Sequence, residues 1–404
     1  MERGYSKIID NLIILALCVL VIGISVSNSV IEIAAVSAIA LWFFKKIFIS
    51  RNVRLIRTPL NKPILFYLIV VGASMANSRF FMTSLTGFVG KTLEYALLYF
   101  VVVETVRNEE DLKKIIWAVL FSCLLLGIDG IWQYIFKYDF LRGYQLWSMN
   151  RMRASFKFPT GFGGWLVTMI PLCFSFALFY TGRTLRTSGI ILSFILLACL
   201  VLSLTRAAWI ALVPAVFFIV WIKGEKAKRV LLVFLVILLL SLVLVVALGG
   251  ADKLMLYTVR GHTVLHRIEL TRMCWRMFGD HPLLGHGINT FMSIYESYKD
   301  ASEFGGVSYA HNCYLQMAVE TGALGLFAFL WIVIALTVSA FDKIKMGNDG
   351  FVRTCLIGLL SGLIAYLTHS FLETNLYALR LAVLFWLFLG LTMGSLNILG
   401  GDGK

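Results

Sequence analysis

The sequence predicts an all-α integral membrane protein of about twelve transmembrane helices with one large loop on the outer side, and three observations carry that prediction. The chain of 404 residues is 59% hydrophobic and only 14% charged, more apolar than the interior of a soluble domain can absorb. Apolar runs long enough to cross ~30 Å of hydrocarbon recur along its whole length. The connections between those runs alternate between strongly basic and mixed, as expected when the chain crosses a membrane repeatedly. A β-barrel would show short alternating segments, and none occur.

In order, the first seven residues, MERGYSK, precede an apolar run in the manner of a signal peptide. No small-residue cleavage site follows, so this run reads as a retained first helix. Spans are expected near 8–28, 30–46, 63–78, 84–105, 114–136, 161–181, 187–205, 207–223, 229–249, 313–341, 351–372 and 375–398. Lys45, Lys46, Arg51, Arg54, Arg57 and Lys62 fill the second connection. Arg107, Lys113 and Lys114, then Arg183 and Arg186, then Lys223 to Arg229, then Lys343, Lys345 and Arg353 fill later alternate ones. The positive-inside rule makes that side cytoplasmic and puts both termini there. Neither a repeat nor a low-complexity region interrupts 1–404, which reads as a single transmembrane domain with the loop 250–312 inserted between the ninth and tenth spans.

The opposite face carries the loops 137–160 and 250–312 and tight turns at Thr205-Arg206 and Glu373-Thr374-Asn375. All 6 histidines lie at or near this face. So do Arg142, Arg151, Arg153, Lys157, Arg206, Lys253, Arg260, Arg267, Arg272, Arg276 and Arg380. Cations are disfavoured outside, so an anionic partner is the natural reason for them. Pairing with Asp139, Asp252, Glu269, Asp280 and Glu373 accounts for only part of the set. The formal charge of +14 would point to nucleic acid in a soluble protein, whereas here the bilayer and an anionic substrate take that place. Loop 250–312 is too long for a bare connector. Its 263–278 stretch reads as an amphipathic helix on the membrane surface, with Leu265, Ile268, Met273, Trp275 and Met277 apolar, ended by Pro282, Gly285 and Gly287. A second short helix is expected over 290–298. The 7 cysteines read as small buried hydrophobes.

Several residues have chemistry to offer. Arg206, in Ser203-Leu204-Thr205-Arg206 between two apolar runs, either snorkels at the interface or serves a polar cavity; its fixed fork of donors matches phosphate oxygens. Arg260, Arg267 and Arg272 can each face a pocket or bind headgroups, and spacing does not choose among them. His311, followed by Asn312 and a helix start, offers an imidazole able to take a proton from a hydroxyl, or merely holds a helix end. Glu320, inside the next span, can orient His311 or pair with an arginine. His262 and His266 stand at i, i+4, yet no further ligand pattern supports a metal site. No phosphate loop, dinucleotide fingerprint or Ser-His-Asp arrangement occurs. Gly161-Phe162-Gly163-Gly164 reads as close helix packing.

Four segments together resemble the O-antigen ligase and polymerase superfamily of bacterial cell-envelope glycosyltransferases. They are Arg153 to Thr160; Ser203-Leu204-Thr205-Arg206; Arg267 to Trp275 with Pro282-Leu283-Leu284-Gly285-His286-Gly287; and His311-Asn312…Leu315-Gln316…Glu320…Gly322. Departures are Thr160 where Asn is usual, Ile210 where the ligases have Leu, and His286 in place of a small apolar residue. The His311–Gly322 spacing matches the ligases. The resemblance implies a GT-C-like architecture and a transferase that takes a glycan from undecaprenyl diphosphate at the periplasmic face of the inner membrane, without metal or other cofactor. In the ligases the acceptor is the lipid A-core oligosaccharide of lipopolysaccharide. It also implies that Arg206 and Arg267 hold the donor diphosphate and that His311 deprotonates the acceptor. Arg153, Arg260, Arg272 and Glu320 stand beside them as supporting candidates. A polymerase uses the same donor and remains the alternative; a lipid-glycan transporter is the third reading. The transporter would need charges spread through the spans, and Lys91 and Glu94, close enough to pair with each other, are the main candidates.

Overall fold

The computed structural model describes residues 2–224, 262–299, 309–346 and 350–401, with isolated positions between 225 and 261. The described residues form helices and no strand, with isolated bridges at Tyr138–Gln145 and Trp147–Arg151. The elements are α1 (Glu2–Val26), α2 (Asn28–Phe44), α3 (Asn61–Ser74), α4 (Phe81–Gly87), α5 (Glu94–Thr105), α6 (Glu109–Phe136), α7 (Pro159–Phe179), α8 (Arg183–Leu202) and α9 (Arg206–Lys223). After them come α10 (His262–Asp280), α11 (Phe291–Tyr298), α12 (Cys313–Met346), α13 (Phe351–His369) and α14 (Leu379–Gly400). Among the described residues, 9 helices are long and apolar enough to cross a membrane, and the chain is a multi-pass membrane protein.

Where spans are expected at 30–46 and 63–78 the structure has the shorter helices α2, of 17 residues, and α3, of 14, and neither is among those 9. At 1.5 Å per residue α3 covers only about 21 Å. Thr58 and Asn61 lock a turn before it, and a 3₁₀ turn at Met75–Asn77 closes it. The span expected at 84–105 is α4 and α5 joined through a π-turn at Phe88–Leu93. Of the span expected at 229–249 only isolated positions are among the described residues.

α7 is the hub, packing against α8, α9 and α13, while α14 fills the space between α5 and α13. The packing is close because small residues meet α7: a Cβ on Gly189, Gly358 or Gly362 would touch Cys173, Ser175 or Thr168. Where apolar side chains gain nothing from mutual burial in lipid, such close backbone approach is what holds helices together. The outward faces carry Ile33, Leu65, Phe121, Ile191, Phe217 and Ile334, all exposed, as a surface solvated by acyl chains requires.

One end of the bundle gathers the polar segments. Ser155 Oγ bonds Ser25 O, and Arg380, almost buried, donates to Asn28 Oδ1, Ser155 O and Val26 O. Arg151 donates to Ser203 O and Thr205 Oγ1. Hydrogen bonds therefore tie the α1–α2 turn, the 137–158 loop, the α8–α9 turn and the start of α14 together.

α12 is broken at Gly322, whose φ of 69 and ψ of −175 belong to a region open essentially to glycine alone. An unbroken helix would bond Ala323 N to Val319 O and Leu324 N to Glu320 O. Here Ala323 N donates to Pro282 O at 2.8 Å and Leu324 N to Leu283 O at 3.3 Å. His286 N takes Val319 O at 3.0 Å and Gly287 N takes Glu320 O at 2.9 Å. The loop 282–287 thus supplies every partner that the helix loses at those positions, which is what permits irregular backbone at membrane depth. Gly285 and Gly322 sit where the two backbones touch, with no room for a Cβ. This explains the Pro282–Gly287 and Gly322 motifs structurally.

Candidate active site

His311 stands at the mouth of α12. Asn312 Oδ1 accepts from Tyr314 N and Leu315 N, both at 3.0 Å, an N-cap that starts the helix one residue after His311. His311 itself has φ 49, a left-handed conformation that costs of order 1–3 kcal/mol for a residue with a Cβ and that persists only where its surroundings hold it. Those surroundings are the α13–α14 hairpin. Cys313 N donates to Ser370 O at 2.8 Å, and Cys313 Sγ lies 3.4 Å from both Glu373 O and Leu376 N. Tyr314 OH donates to Leu367 O at 2.8 Å.

The hairpin delivers Glu373, with a side chain only 8% exposed. His311 Nδ1 lies 3.1 Å from Glu373 Oε2. Arg267, from the first turns of α10, donates through NH2 to Glu373 Oε1 at 2.8 Å and through NH1 to Leu372 O at 2.9 Å. Burial alone would raise the Glu373 carboxyl. The His311 hydrogen bond and the positive charge of His311, His369 and Arg267 more than offset that and hold it below the usual carboxylate range. One buried carboxylate therefore binds the candidate base on one oxygen and the candidate phosphate-binding arginine on the other. His369, fully buried, places Nδ1 3.0 Å from Asn375 Oδ1 and stiffens the same hairpin.

Arg206 opens α9 and is exposed; it stands at the wet end rather than deep between the apolar runs. The turn before it packs against α7: a Cβ on Gly163 would meet Thr205, and one on Gly164 would meet Asn375 and His369. The glycine pair thus lets the Arg206 turn and the Glu373 hairpin approach α7 side by side, in line with the packing role expected for it.

Other candidates do different work. Glu320 does not orient His311: its Oε1 accepts from Phe291 N at 3.0 Å and its Oε2 from Asn289 N at 2.9 Å, satisfying backbone N–H groups at the N-terminus of α11. Arg153 donates to Gln145 O and Lys157 O and stacks on Tyr144 and Trp147, so it is tied into the 137–158 loop. Arg272 is exposed and, five residues beyond Arg267, points about 140° away around the helix. Arg260 lies outside the described residues. Lys91 bonds Asn289 Oδ1 at 2.9 Å instead of pairing with Glu94.

α10 is amphipathic as expected, but its buried face differs in part. Leu270, Met273, Cys274 and Met277 are buried against Phe291, Ile294 and Tyr295 of α11 and Val319 of α12, while Ile268 and Trp275 are exposed. The apolar stripe at i, i+3, i+4, i+7 seats the helix on protein. His286 joins it there, its Nε2 2.8 Å from Met277 O; burial lowers its pKa. Among the described residues no group of three or more His, Cys, Asp or Glu could hold a metal.

The residue that sequence reasoning passed over is Glu373. It was visible only as one of several acids on the cation-rich face, and nothing local marks a carboxylate 62 residues from His311 as its partner.

Residues 191–330 match a family model described as O-antigen ligase. The match spans Arg206, Arg267, His311, Glu320 and Gly322 and ends before Glu373. It supports the resemblance seen in the sequence to the O-antigen ligase superfamily. No curated protein matches the chain.

Proposed function

We propose, from the match of residues 191–330 to the O-antigen ligase family, that this chain is an inner-membrane glycosyltransferase of GT-C-like architecture and an O-antigen ligase. It would transfer a glycan from undecaprenyl diphosphate to lipid A-core oligosaccharide at the periplasmic face, both termini being cytoplasmic. The observation that carries the reading is Glu373 held between His311 and Arg267. With the proton on Nδ1, His311 donates to Glu373 and offers Nε2 as base. An acceptor hydroxyl attacks the anomeric carbon and its proton passes to Nε2. The anomeric carbon–phosphate oxygen bond breaks, and undecaprenyl diphosphate leaves with the electron pair. Glu373 stabilises the imidazolium and keeps the productive tautomer, a positioning role. Arg267 is fixed by two of its five N–H donors, and the others are available to diphosphate oxygens as charge develops there. Arg206, at the same end, is the second candidate for that charge.

Preference for ligation over polymerisation rests on the His311–Gly322 spacing and the basic balance of the chain. Purified protein given a lipid-linked glycan, with and without lipid A-core, tests it by product size. One transfer that requires lipid A-core supports a ligase. A ladder of longer lipid-linked glycans without that acceptor makes it a polymerase. Donor binding with no covalent product would overturn the transferase reading in favour of transport.

A further inference from the structure

A second polar site lies at the other end of the bundle. α14 begins at Leu379, beside the Arg380 staple of the His311 end, and near its other end carries Asn397, which lines a cavity of about 410 Å³. The rise from Leu379 to Asn397 is about 27 Å, close to the ~30 Å of a bilayer's hydrocarbon. The cavity therefore opens at the opposite membrane interface and cannot be part of the site that holds His311.

Its walls are built. Lys45 and Lys46 lie on a π-turn at Lys45–Ile49 and are both buried; the wider turn lets two consecutive side chains face inward. Lys45 pairs with Asp10, and Lys46 pairs with Glu104 at 2.7 Å. Glu104 is saturated: Oε2 also accepts from Trp42 Nε1 at 3.0 Å, and Oε1 accepts from Lys46 Nζ at 3.0 Å and Ile56 N at 2.9 Å. Lys46 further donates to Arg54 O at 2.8 Å, so the buried pair fastens the loop after α2 over the cavity. Arg54 and Arg107 line the same cavity and are exposed. Arg107 Nε donates to Glu104 O at 2.7 Å, and neither guanidinium has a carboxylate partner among the described residues. Lys45 and Lys46 are balanced by Asp10 and Glu104; the two arginines are not.

We propose that this cavity binds a phosphate group, presented on an anionic lipid headgroup or on a soluble phosphate ester. Two uncompensated arginine forks at the mouth match phosphate oxygens. A basic pocket between helix ends at the interface is where an anionic headgroup is recognised. Neither the transfer chemistry nor the family match, which begins at residue 191, involves it.

The test titrates the full chain in uncharged detergent with short-chain phosphatidylglycerol, with glycerol phosphate and with short-chain phosphatidylcholine, following melting temperature. Two double variants are compared: Arg54→Glu with Arg107→Glu, and Arg183→Glu with Arg186→Glu. The second pair is exposed on the same end of the bundle, at the start of α8, and gives the same charge change away from the cavity. An anion should stabilise the parent, with at least a tenfold loss in the first variant and less than twofold in the second. Arg54→Gln, which removes no side-chain hydrogen bond among the described residues, should alone weaken binding several-fold and serves if the first double variant does not fold. Binding of phosphatidylglycerol only identifies a headgroup site; equal binding of glycerol phosphate identifies a soluble ester. The inference falls if neither anion binds, if phosphatidylcholine binds as well, or if both double variants lose binding alike.

Discussion

Replacing Glu373 by glutamine isolates the carboxylate at the centre of the candidate site. The side chain is 8% exposed, 3.1 Å from His311 Nδ1 and 2.8 Å from Arg267 NH2. Glutamine keeps the shape and removes the charge, but it carries only one acceptor oxygen. If that oxygen faces His311, the amide NH2 opposes Arg267. If it faces Arg267, the NH2 opposes Nδ1 and drives the imidazole proton to Nε2, which abolishes the base. A positioned base is worth about 10²–10⁴ in rate. Loss of the tautomer preference and of imidazolium stabilisation should therefore lower kcat about 10²–10³-fold, or about 3–4 kcal/mol of barrier. KM for the donor should change much less. Fold stability should drop by only about 1 kcal/mol, because Arg267 and His311 are 35% and 34% exposed and water replaces much of what they lose. Single-turnover transfer measured beside melting temperature separates the two effects. A kcat within twofold of the parent would refute the role given to Glu373. The same variant reports on pH. The Glu373 carboxyl is depressed in the folded state, so its ionised form contributes stability that is fully present above the unfolded value of about 4.3 and is lost as pH falls through the folded one. The parent should lose that increment under acid, and the glutamine variant should lack it throughout.

Three further outcomes are expected. His311→Ala should cut transfer at least about 10²-fold while donor affinity, measured by titration, stays within a few-fold; unchanged turnover would remove His311 from the chemistry. Arg267→Lys should raise donor KM and lower kcat together, since one ammonium cannot bond Leu372 O and Glu373 in the guanidinium's geometry, and Arg206→Lys should likewise impair use of the donor; normal kinetics in both would sink the diphosphate roles. Gly322→Ala should destabilise the fold by at least about 2 kcal/mol, because its backbone conformation and the contact with Leu283 leave no space for a Cβ; a parent-like melting temperature would contradict the account of the broken helix.

Much of the architecture was legible in the chain. Apolar length and composition determine that helices cross a membrane, because unpaired backbone is not tolerated in hydrocarbon and a span needs a minimum of apolar residues. The crowding of histidines and arginines into a few connections marks one face as the candidate functional one, because cations there need a partner. His311 at a helix mouth, Arg267 on an amphipathic helix and the glycines that meet across helices follow from local pattern. The tertiary structure alone decided which residues join. Glu373 and Glu320 are both acids near apolar runs, and nothing local distinguishes the one that holds His311 from the one that caps α11. Likewise Gly322 reads as a motif position until the loop 282–287 is seen exchanging hydrogen bonds with the broken helix. Hydrogen bonds and ion pairs reach only about 3–4 Å, and contacts between residues tens of positions apart depend on how the helices pack, which periodicity does not encode.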